Sequence, residues 1–480
     1  MEYDYIVIGA GSAGLSFSAL MEKRGHKVCL LEAHTSPGGC SSYFEREGFI
    51  FDAGATTLSG FKDSRPLQKL VCELDLKLDI KKIDPGIISF IGNKKIRRFS
   101  NPVDWIKELN LHFPKIEHTP LWNRLRDIEK RGWILTSSFK NIPIRSFKSI
   151  FSFLSKKLPA ALKSTPELFK TVDSELKRFG ITDPDYLAMI DEMLFITAQN
   201  QRMKTPLLMG AMGLCYPEDT SYAMGGMKTF IESIATKCSS INYRHEVQKI
   251  KPIKDGFIVN TKQGEFTCKK LISTIPVWNH ESLFDDQIGK DFFTSKTIFN
   301  PEDCWSAFMV YLTIPFDSSR EGLYYQIHTS EIPNCGTKSF FVSLSHAEDT
   351  IRSHSGRQVV TISTHTKASE WLNLDKEIYQ AKKKSTSAFI LESLKSHFNL
   401  LDSDLQNIFT GSPKSFIKYT KRYHGLVGGI PHSTLRNPLN YVIARSPYKN
   451  FYMLGDTQLP GQGIAAVVMG AMNLVDYLEN

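Results

Sequence analysis

The first forty residues most constrain what this chain can fold into. A short apolar run, YDYIVIGAG, leads into Gly9-x-Gly11-x-x-Gly14, and a helix-like run follows as far as Arg24. Gly9 suits a tight strand-to-helix turn, Gly11 lets backbone approach a pyrophosphate, and Gly14 lets helix and strand pack closely. A second apolar run, HKVCLL, ends at Glu32. This order predicts a βαβ unit that binds a dinucleotide.

The start of the predicted helix and the tip of the second strand supply complementary ligand contacts. The free N–H groups and the dipole at a helix N-terminus favour an anion such as a pyrophosphate. An acid about 20 residues beyond the glycines accepts hydrogen bonds from ribose hydroxyls, and Glu32 occupies that place. A glycine triplet alone is weak evidence, but here it stands between two strands and opens a helix.

The chain after Glu32 departs from the pattern of a nicotinamide dehydrogenase, which would continue with further βαβ units. Gly38-Gly39 and the segment FDAGAT around Gly54 follow instead. Two more glycine-rich turns indicate backbone packed against a large ligand, because glycine leaves room for close approach. The pattern therefore favours FAD.

Composition narrows the class of protein. A chain of 480 residues is too long for one simple core, so two or more lobes are expected. Its eight cysteines are scattered with no CxxC, which fits a reducing compartment and argues against disulfides, zinc and a dithiol centre. The histidines lack ligand-like spacing, so no metal is expected. Acidic residues replace the basic start of a secretory signal, and the apolar part of residues 457–475 is short for a membrane span.

The N-terminal motifs resemble a known family. The run GAGSAGLSFSALMEKRGHKVCLLEAHTSPGG, followed by GFIFDAGATTLSG, resembles the FAD-binding start of the phytoene desaturase family. That family includes carotenoid desaturases, carotenoid isomerases and retinol saturase, and it belongs to the amine-oxidase-like flavoproteins. Within it, FDAGAT most resembles the carotenoid 3,4-desaturase branch. Ser18 stands where alanine is usual in the first helix, which still leaves a small side chain there.

A second cofactor motif lies near the C-terminus. NFYMLGD indicates a buried strand ending in Gly455-Asp456, and LPGQGIAAVV indicates a helix that begins after glycines. In the resembled family this aspartate binds the ribityl or pyrophosphate groups of FAD. The helix N-terminus supports the flavin ring where negative charge accumulates on reduction. The segment YHGLVGGIP before it resembles the family's substrate-side loop.

The motifs and the resemblance together give a set of expected cofactor contacts. By resemblance, Val247 lies at the adenine end and Ser273-Thr274 return beside it. No residue stands out as a catalytic acid or base; His424, Asp52 and Tyr423 are candidates near the flavin, each with a structural role as the alternative. The expected FAD-binding residues are Gly9, Gly11, Ser12, Ala13, Gly14, Glu32, Ala33, Gly39, Cys40, Ser41, Gly54, Ala55, Val247, Gly455, Asp456, Gly463 and Ile464.

The expected fold class is α/β, with a discontinuous Rossmann-type FAD-binding domain and a substrate domain of mixed β-sheet plus helices. The FAD-binding domain would comprise residues 1–64, 206–276 and 416–480. Residues 65–205 would form a helical, membrane-facing substrate lobe, and residues 277–415 the sheet and helices of the substrate domain. Within the second FAD segment, residues 241–276 read as a β meander with turns at Asp255-Gly256 and Gln263-Gly264.

Residues 130–166 differ from the rest of the chain because they contain eight Lys or Arg but no Asp or Glu. Aromatic residues are interleaved with these cations, and Phe147, Ile150, Phe151, Leu154 and Leu158 recur at the spacing of one helical face. A basic amphipathic helix with aromatic anchors predicts binding to an anionic membrane surface. The alternative is that this face packs on the substrate lobe. Nucleic acid is not an expected partner, since no docking module for it is present.

The predicted function is an FAD-dependent oxidoreductase acting on a carotenoid or other long isoprenoid polyene. Desaturation, cis–trans isomerisation and saturation by hydride transfer at flavin N5 all need the same parts, so the motifs leave the reaction open. Quinone or oxygen would accept electrons, by resemblance. The alternatives are a flavin oxidase of amines or other small polar substrates, and a non-catalytic escort of prenylated proteins. The expected location is cytoplasmic, with peripheral membrane association.

Overall fold

Two seven-stranded β-sheets organise the part of the chain that the structure describes. The computed structural model describes residues 2–62, 65–137, 166–294, 301–434 and 448–479. The strands in chain order are β1 (Tyr3–Ile8), β2 (Val28–Glu32), β3 (Tyr43–Arg46), β4 (Phe49–Asp52), β5 (Ile80–Lys82), β6 (Ile87–Ile91), β7 (Lys94–Arg98), β8 (Ser221–Ala223), β9 (Ile241–Tyr243), β10 (Val247–Ile253), β11 (Gly256–Thr261), β12 (Glu265–Ser273), β13 (Ser306–Pro315), β14 (Tyr324–His328), β15 (Ser339–Leu344), β16 (Arg357–Thr366), β17 (Gln406–Gly411) and β18 (Phe451–Met453).

Some helices pack with the strands of the first sheet, and another group of helices forms a cluster of its own. The α-helices in the described ranges are α1 (Ser12–Lys23), α2 (Pro66–Leu74), α3 (Pro102–His112), α4 (Thr119–Thr136), α5 (Val172–Arg178), α6 (Pro184–Ala198), α7 (Leu207–Leu214), α8 (Gly226–Ala235), α9 (Gln287–Thr294), α10 (Lys376–Phe398), α11 (Pro413–Thr420) and α12 (Ile464–Glu479).

The first sheet is built from three separated stretches of the chain. Its order is β10-β11-β12-β1-β2-β9, and β18 pairs with β12. The strands β9, β2, β1, β12 and β18 run parallel to their neighbours, whereas β10, β11 and β12 form an antiparallel ribbon. The central strand β1 is buried at its C-terminal end, as expected for a parallel strand covered on both faces. The discontinuous Rossmann-type fold predicted from the sequence is confirmed.

The N- and C-terminal motifs meet in the core of this first layer. One hydrophobic cluster joins α1, α2, α8 and α12, and it includes Leu15 and Phe17 of α1 together with Val468 and Leu474 of α12. All four side chains are fully buried. The two ends of the chain therefore stabilise each other, because each helix lacks a complete apolar environment without the other.

The second sheet has the order β17-β13-β16-β15-β14-β6-β7. It is antiparallel except where β14 lies parallel to β6. The helices α3 to α7 form their own cluster around Trp105 and Trp122, whose rings meet edge to face with centroids 5.1 Å apart. This second sheet with its helices matches the mixed β-sheet plus helices that the sequence predicted beside the Rossmann-type domain. The expected domain boundaries remain a prediction.

The predicted meander over residues 241–276 is only partly correct. The strands β10, β11 and β12 form it, with Ile253 opposite Gly256 at the first turn. The strand β9 does not join them; it pairs parallel to β2 at the opposite edge of the sheet. The chain crosses the sheet between Tyr243 and Val247, a change of partner that alternating hydrophobicity cannot reveal.

The basic amphipathic segment around residues 147–158 lies outside the described residues. Within the described ranges, no helix combines the length and apolar character needed to cross a membrane. The same ranges contain no group of three or more His, Cys, Asp or Glu side chains arranged to hold a metal ion.

Candidate active site

One cavity of about 920 Å³ extends from the glycine turn after β1 to the second sheet. It is lined by the expected cofactor residues Gly9, Gly11, Ser12, Ala13, Glu32, Ala33, Gly39, Cys40, Ser41, Gly54, Ala55, Val247, Gly455, Asp456, Gly463 and Ile464. Gly14 is the one member of the expected set that does not line it. The tertiary structure thus brings together residues from both ends of the chain and from its middle.

The three glycines of the fingerprint have distinct structural roles. Gly9 has φ +96°, which L-amino acids rarely adopt. A Cβ added at Gly14 would lie 2.0 Å from the Gly9 carbonyl oxygen, so only glycine permits α1 to pack so closely on the turn. A Cβ added at Gly11 would meet no protein atom within 4 Å, because that position faces the cavity. Gly14 is therefore needed for packing, and Gly11 leaves space for a ligand.

The N-terminus of α1 fits an anionic ligand. Gly11 is the N-cap, and the first turn contains no acidic side chain. The hydroxyl of Ser12 is buried beside the cavity without a hydrogen-bond partner among the described residues. An unpaired buried hydroxyl next to free backbone N–H groups is the donor set that a phosphate group satisfies.

Glu32 is held in place by backbone donors at the tip of β2. Its Oε2 accepts a hydrogen bond from the Ala10 N–H and its Oε1 one from the His34 N–H, each at 2.7 Å. Burial raises the pKa of this carboxyl, although both N–H donors act to lower it. The carboxyl faces the cavity with its orientation fixed, and each oxygen keeps a further lone pair for a hydroxyl group.

Arg422 and Asp456 form an ion pair in the cavity wall. Arg422 Nη2 lies 2.8 Å from Asp456 Oδ2, and the two side chains are 10% and 17% exposed. Burial acts to lower the pKa of Arg422, but Asp456 and Cys40 together raise it above its ordinary value. The expected cofactor residue Asp456 is therefore not a free acceptor; it fixes a cation that no motif had indicated.

The glycine-rich loops of the C-terminal third pack against α6. A Cβ added at Gly428 would lie 1.9 Å from the Gln199 side-chain amide, and one at Gly429 would lie 2.1 Å from the Asp456 carbonyl oxygen. The Gln462 amide reaches the Ile196 carbonyl oxygen at 3.5 Å. The end of α6 thus contacts both the segment that resembles a substrate-side loop and the loop that precedes α12.

The remaining lining comes from the second sheet and the helices α4, α6 and α7. Most of these side chains are apolar or aromatic, and they include Ile196, Met209, Met212, Met309, Tyr311 and Phe341. The polar side chains of this part of the lining are Thr136, Glu192, Thr197, Gln326, Ser339, Ser363, Thr364, His365 and Thr410. Burial lowers the pKa of His365 to about 4, so its ring is neutral at pH 7. This part of the cavity is a chamber with largely apolar and aromatic walls, in which Gln326, Ser339 and Glu192 form a connected polar group.

The three candidates for catalytic roles do not line the cavity. Asp52 is fully buried, 3.0 Å from Arg352 Nη2, and accepts a hydrogen bond from the Met227 N–H. The rings of Tyr423 and His424 stack on each other, with centroids 4.0 Å apart. A structural role is thus the better description of Asp52. Of the two residues expected beside the adenine end, Thr274 lines the cavity and Ser273 does not.

Sequence reasoning missed Arg422 and Glu192. Arg422 directly precedes the segment that had been singled out at 423–431, but its partner lies 34 residues away. Glu192 stands next to Asp191 in the middle of α6, where the neighbouring residues are mostly apolar. Two adjacent acids in such a run were an available signal, since buried carboxylates need partners. Asp191 pairs with Arg202, whereas Glu192 faces the cavity.

Comparison with known proteins identifies the general class. The model of a family described as flavin containing amine oxidoreductase matches residues 12–384. Prolycopene isomerase from Daucus carota is 25% identical, over 98% of this chain and 79% of its own length. The corresponding protein from Arabidopsis thaliana is 26% identical, over 98% of this chain and 81% of its own. The crystal structure of an oxidoreductase from Methanosarcina mazei matches with a TM-score of 0.65 at 16% identity, covering 98% of this chain and 99% of that one.

Proposed function

The chain belongs to the flavin containing amine oxidoreductase family, and we propose that this member acts on the C=C bonds of a long isoprenoid polyene. It is a flavin-dependent oxidoreductase with FAD as cofactor, as the sequence predicted, so the alternative of a non-catalytic escort is excluded. What remains to be assigned is the substrate and the reaction.

The observation that carries this proposal is the continuity of the cavity. A single space of about 920 Å³ joins the dinucleotide end at Gly11 and Glu32 to the apolar chamber of the second sheet. Ligand sites are apolar with a few placed polar groups, and this chamber has methionine and aromatic walls. A small polar amine would leave most of those walls unpaired with any ligand surface, whereas a polyene would cover them.

The relatives supply the first reaction to test. Both prolycopene isomerases align over 98% of this chain, so the similarity includes the chamber as well as the cofactor end. Cis–trans isomerisation of a polyene is therefore the leading reaction. Desaturation and saturation remain the alternatives, because they need the same cofactor and the same chamber.

The proposed cofactor contacts follow from the lining. Ser12 and the N-terminus of α1 would bind the pyrophosphate, Glu32 a ribose, and Val247 the adenine end, while Arg422 would add a positive charge beside the phosphates. The glycines at 455 and 463 would let the ring approach the backbone. Bound FAD supplies a two-electron carrier that accepts or returns a hydride. The protein's own contribution is to orient the polyene and to exclude water from the chamber.

The proposed partners are the polyene itself, an anionic membrane surface from which it is drawn, and quinone or oxygen as electron acceptor. The membrane part rests on the basic, aromatic sequence of residues 130–166. A hydrophobic substrate that partitions into lipid must be taken from a bilayer, and basic amphipathic segments bind anionic bilayers. We place the enzyme on the cytoplasmic side.

The test is co-expression in bacteria engineered to make phytoene, lycopene or a cis-polyene, followed by pigment chromatography. Isomerisation changes the retention of a pigment without changing its mass, whereas desaturation and saturation change the mass by two hydrogens. The proposal expects one of these changes in cells with the enzyme and none in cells with an empty vector. Purified protein that leaves every polyene unchanged but releases peroxide with amines would show that the amine-oxidase alternative is correct.

A further inference from the structure

Glu192 occupies a specific position on the cavity-facing side of α6. It lies four residues before Ile196, so these two side chains share one helical face, and Gln199 follows directly after the helix as its C-cap. All three line the cavity. Gln462 contacts the Ile196 carbonyl and Gly428 packs on Gln199. Glu192 therefore lies about one helical turn, roughly 6 Å of rise, before the Ile196 carbonyl that Gln462 contacts.

The hydrogen bonds around Glu192 have a defined direction. The amide Nε2 of Gln326 donates to Ser339 Oγ at 2.6 Å, which leaves the Ser339 hydroxyl hydrogen for Glu192 Oε2. Only one of the two carboxyl oxygens is engaged in this way. Among the described residues Oε1 has neither a hydrogen-bond donor nor a cation beside it. One oxygen is thus anchored, and the other is available to a ligand in the chamber.

The other carboxyls that line the cavity are already engaged. Glu32 accepts two backbone N–H groups, Asp456 pairs with Arg422, and Glu246 lies 3.6 Å from Lys421. In the described part of the lining, Glu192 is the carboxyl without a cation or a backbone donor. Burial raises its pKa and the charge of Asp191 adds to this, while Ser339 acts to lower it. A lining carboxyl with a raised pKa keeps its proton to a higher pH than a solvated one, which suits it to proton exchange.

We propose that Glu192 is the proton-transferring residue of the chamber, giving a proton to a carbon of the bound polyene and taking it back. This inference rests on the proposed polyene function. In isomerisation, the Glu192 O–H bond breaks and a C–H bond forms, which converts one C=C bond of the polyene into a single bond and leaves a delocalised cation. Rotation about that bond and return of a proton to the carboxylate restore the double bond in the other geometry. No electrons are gained or lost overall.

The decisive variant is Glu192→Gln, which keeps the size of the side chain and its ability to accept from Ser339 but cannot transfer the proton. General acid–base catalysis contributes about 10²–10⁴-fold, so the turnover rate should fall at least about 100-fold. Flavin content and the KM for the polyene should stay within about threefold of wild type. The ionisation that Glu192 gives the wild-type pH–rate profile should disappear in the variant.

Two further variants separate a chemical role from a structural one. Ser339→Ala removes the hydroxyl that donates to the Glu192 carboxylate, so the pKa of Glu192 should rise and the pH–rate profile should shift to higher pH. Glu392→Gln makes the same chemical change on α10, where the carboxyl is 71% exposed and outside the cavity. It should behave as wild type in rate and in pH profile.

The outcomes distinguish this inference from the function on which it rests. Wild-type protein that converts no polyene would refute the proposed function. Wild-type activity together with a Glu192→Gln variant of nearly normal rate, or with an unchanged pH profile, would refute the role of Glu192 alone. A variant that loses its flavin would also count against it, because the lesion would then be structural.

Discussion

Arg422 and Asp456 are joined by a 2.8 Å contact between Nη2 and Oδ2 in the wall of the cavity. The pair connects the loop after α11 to the turn after β18, so it links the two C-terminal segments that line the cofactor end. Asp456 therefore contributes to the site in two ways: it fixes the position of Arg422, and it lines the cavity itself.

The Asp456→Asn variant should bind FAD at least about tenfold more weakly and should unfold more readily. It leaves the Arg422 guanidinium buried without its counter-charge, a change that costs about 3–5 kcal/mol when buried pairs are broken. Flavin fluorescence titration and urea unfolding measure the two effects. The exposed pair Lys77–Asp75 provides the control, and Asp75→Asn should alter neither value. Unchanged FAD affinity in Asp456→Asn would contradict the assigned role.

Gly11→Ala and Gly14→Ala should fail in different ways. A methyl group at Gly11 enters the cavity, so the flavin-free protein should keep its stability while FAD affinity drops. A methyl group at Gly14 meets the Gly9 carbonyl at 2.0 Å, and such overpacking costs about 1–3 kcal/mol or more. Thermal unfolding of the flavin-free forms, followed by FAD titration, separates the two. Equal loss of stability in both variants would show that Gly11 is also a packing residue.

His280 should make the protein sensitive to acid. Its Nδ1–H donates to the Val277 carbonyl and Nε2 accepts from the Ser273 hydroxyl, so the buried ring is neutral. Burial lowers its pKa from 6.5 to about 4. As the pH falls from 6.5 to 4, the unfolded chain takes up a proton that the folded chain does not, which lowers the free energy of unfolding by up to about 3 kcal/mol.

The measurement is urea unfolding of wild type and His280→Asn at several pH values between 7 and 4. The variant should be less stable at pH 7, because two buried hydrogen bonds are altered, but it should lose less stability on acidification. The two stability curves should therefore converge toward pH 4. Curves that stay parallel would show that His280 does not contribute to the acid sensitivity.

Charge reversal in the basic segment should abolish membrane association. The Lys156→Glu/Lys157→Glu double variant changes the local charge by four units, and each basic residue near an anionic surface contributes about 1 kcal/mol. Sedimentation with vesicles containing anionic lipid measures the bound fraction. Lys251→Glu/Lys254→Glu makes the same change on exposed residues of β10 and of the turn that follows it, and this variant should still sediment. Equal sedimentation of both double variants would exclude the membrane-binding segment.

The local sequence pattern was sufficient to predict the structure where residues close in sequence are also close in space. The turn at Gly9 and the close packing of α1 at Gly14 were both predictable, because the spacing of glycines around a turn is a local property. The strand β9 was misplaced for the opposite reason. Its short length gives no alternation to read, and its pairing with β2 depends on a crossing of the sheet that no local signal encodes.

The site divides in the same way. Glycine spacing and the acid at Glu32 determined, from the sequence alone, a dinucleotide fold, because close backbone approach imposes a strict residue choice. The further glycine-rich turns at Gly38-Gly39 and Gly54 then favoured FAD as its cofactor. Only the tertiary structure paired Arg422 with Asp456, buried Asp52 against Arg352, and turned Glu192 toward the chamber. Those outcomes depend on which distant side chains neutralise or surround each charge, and burial is a property of the assembled fold.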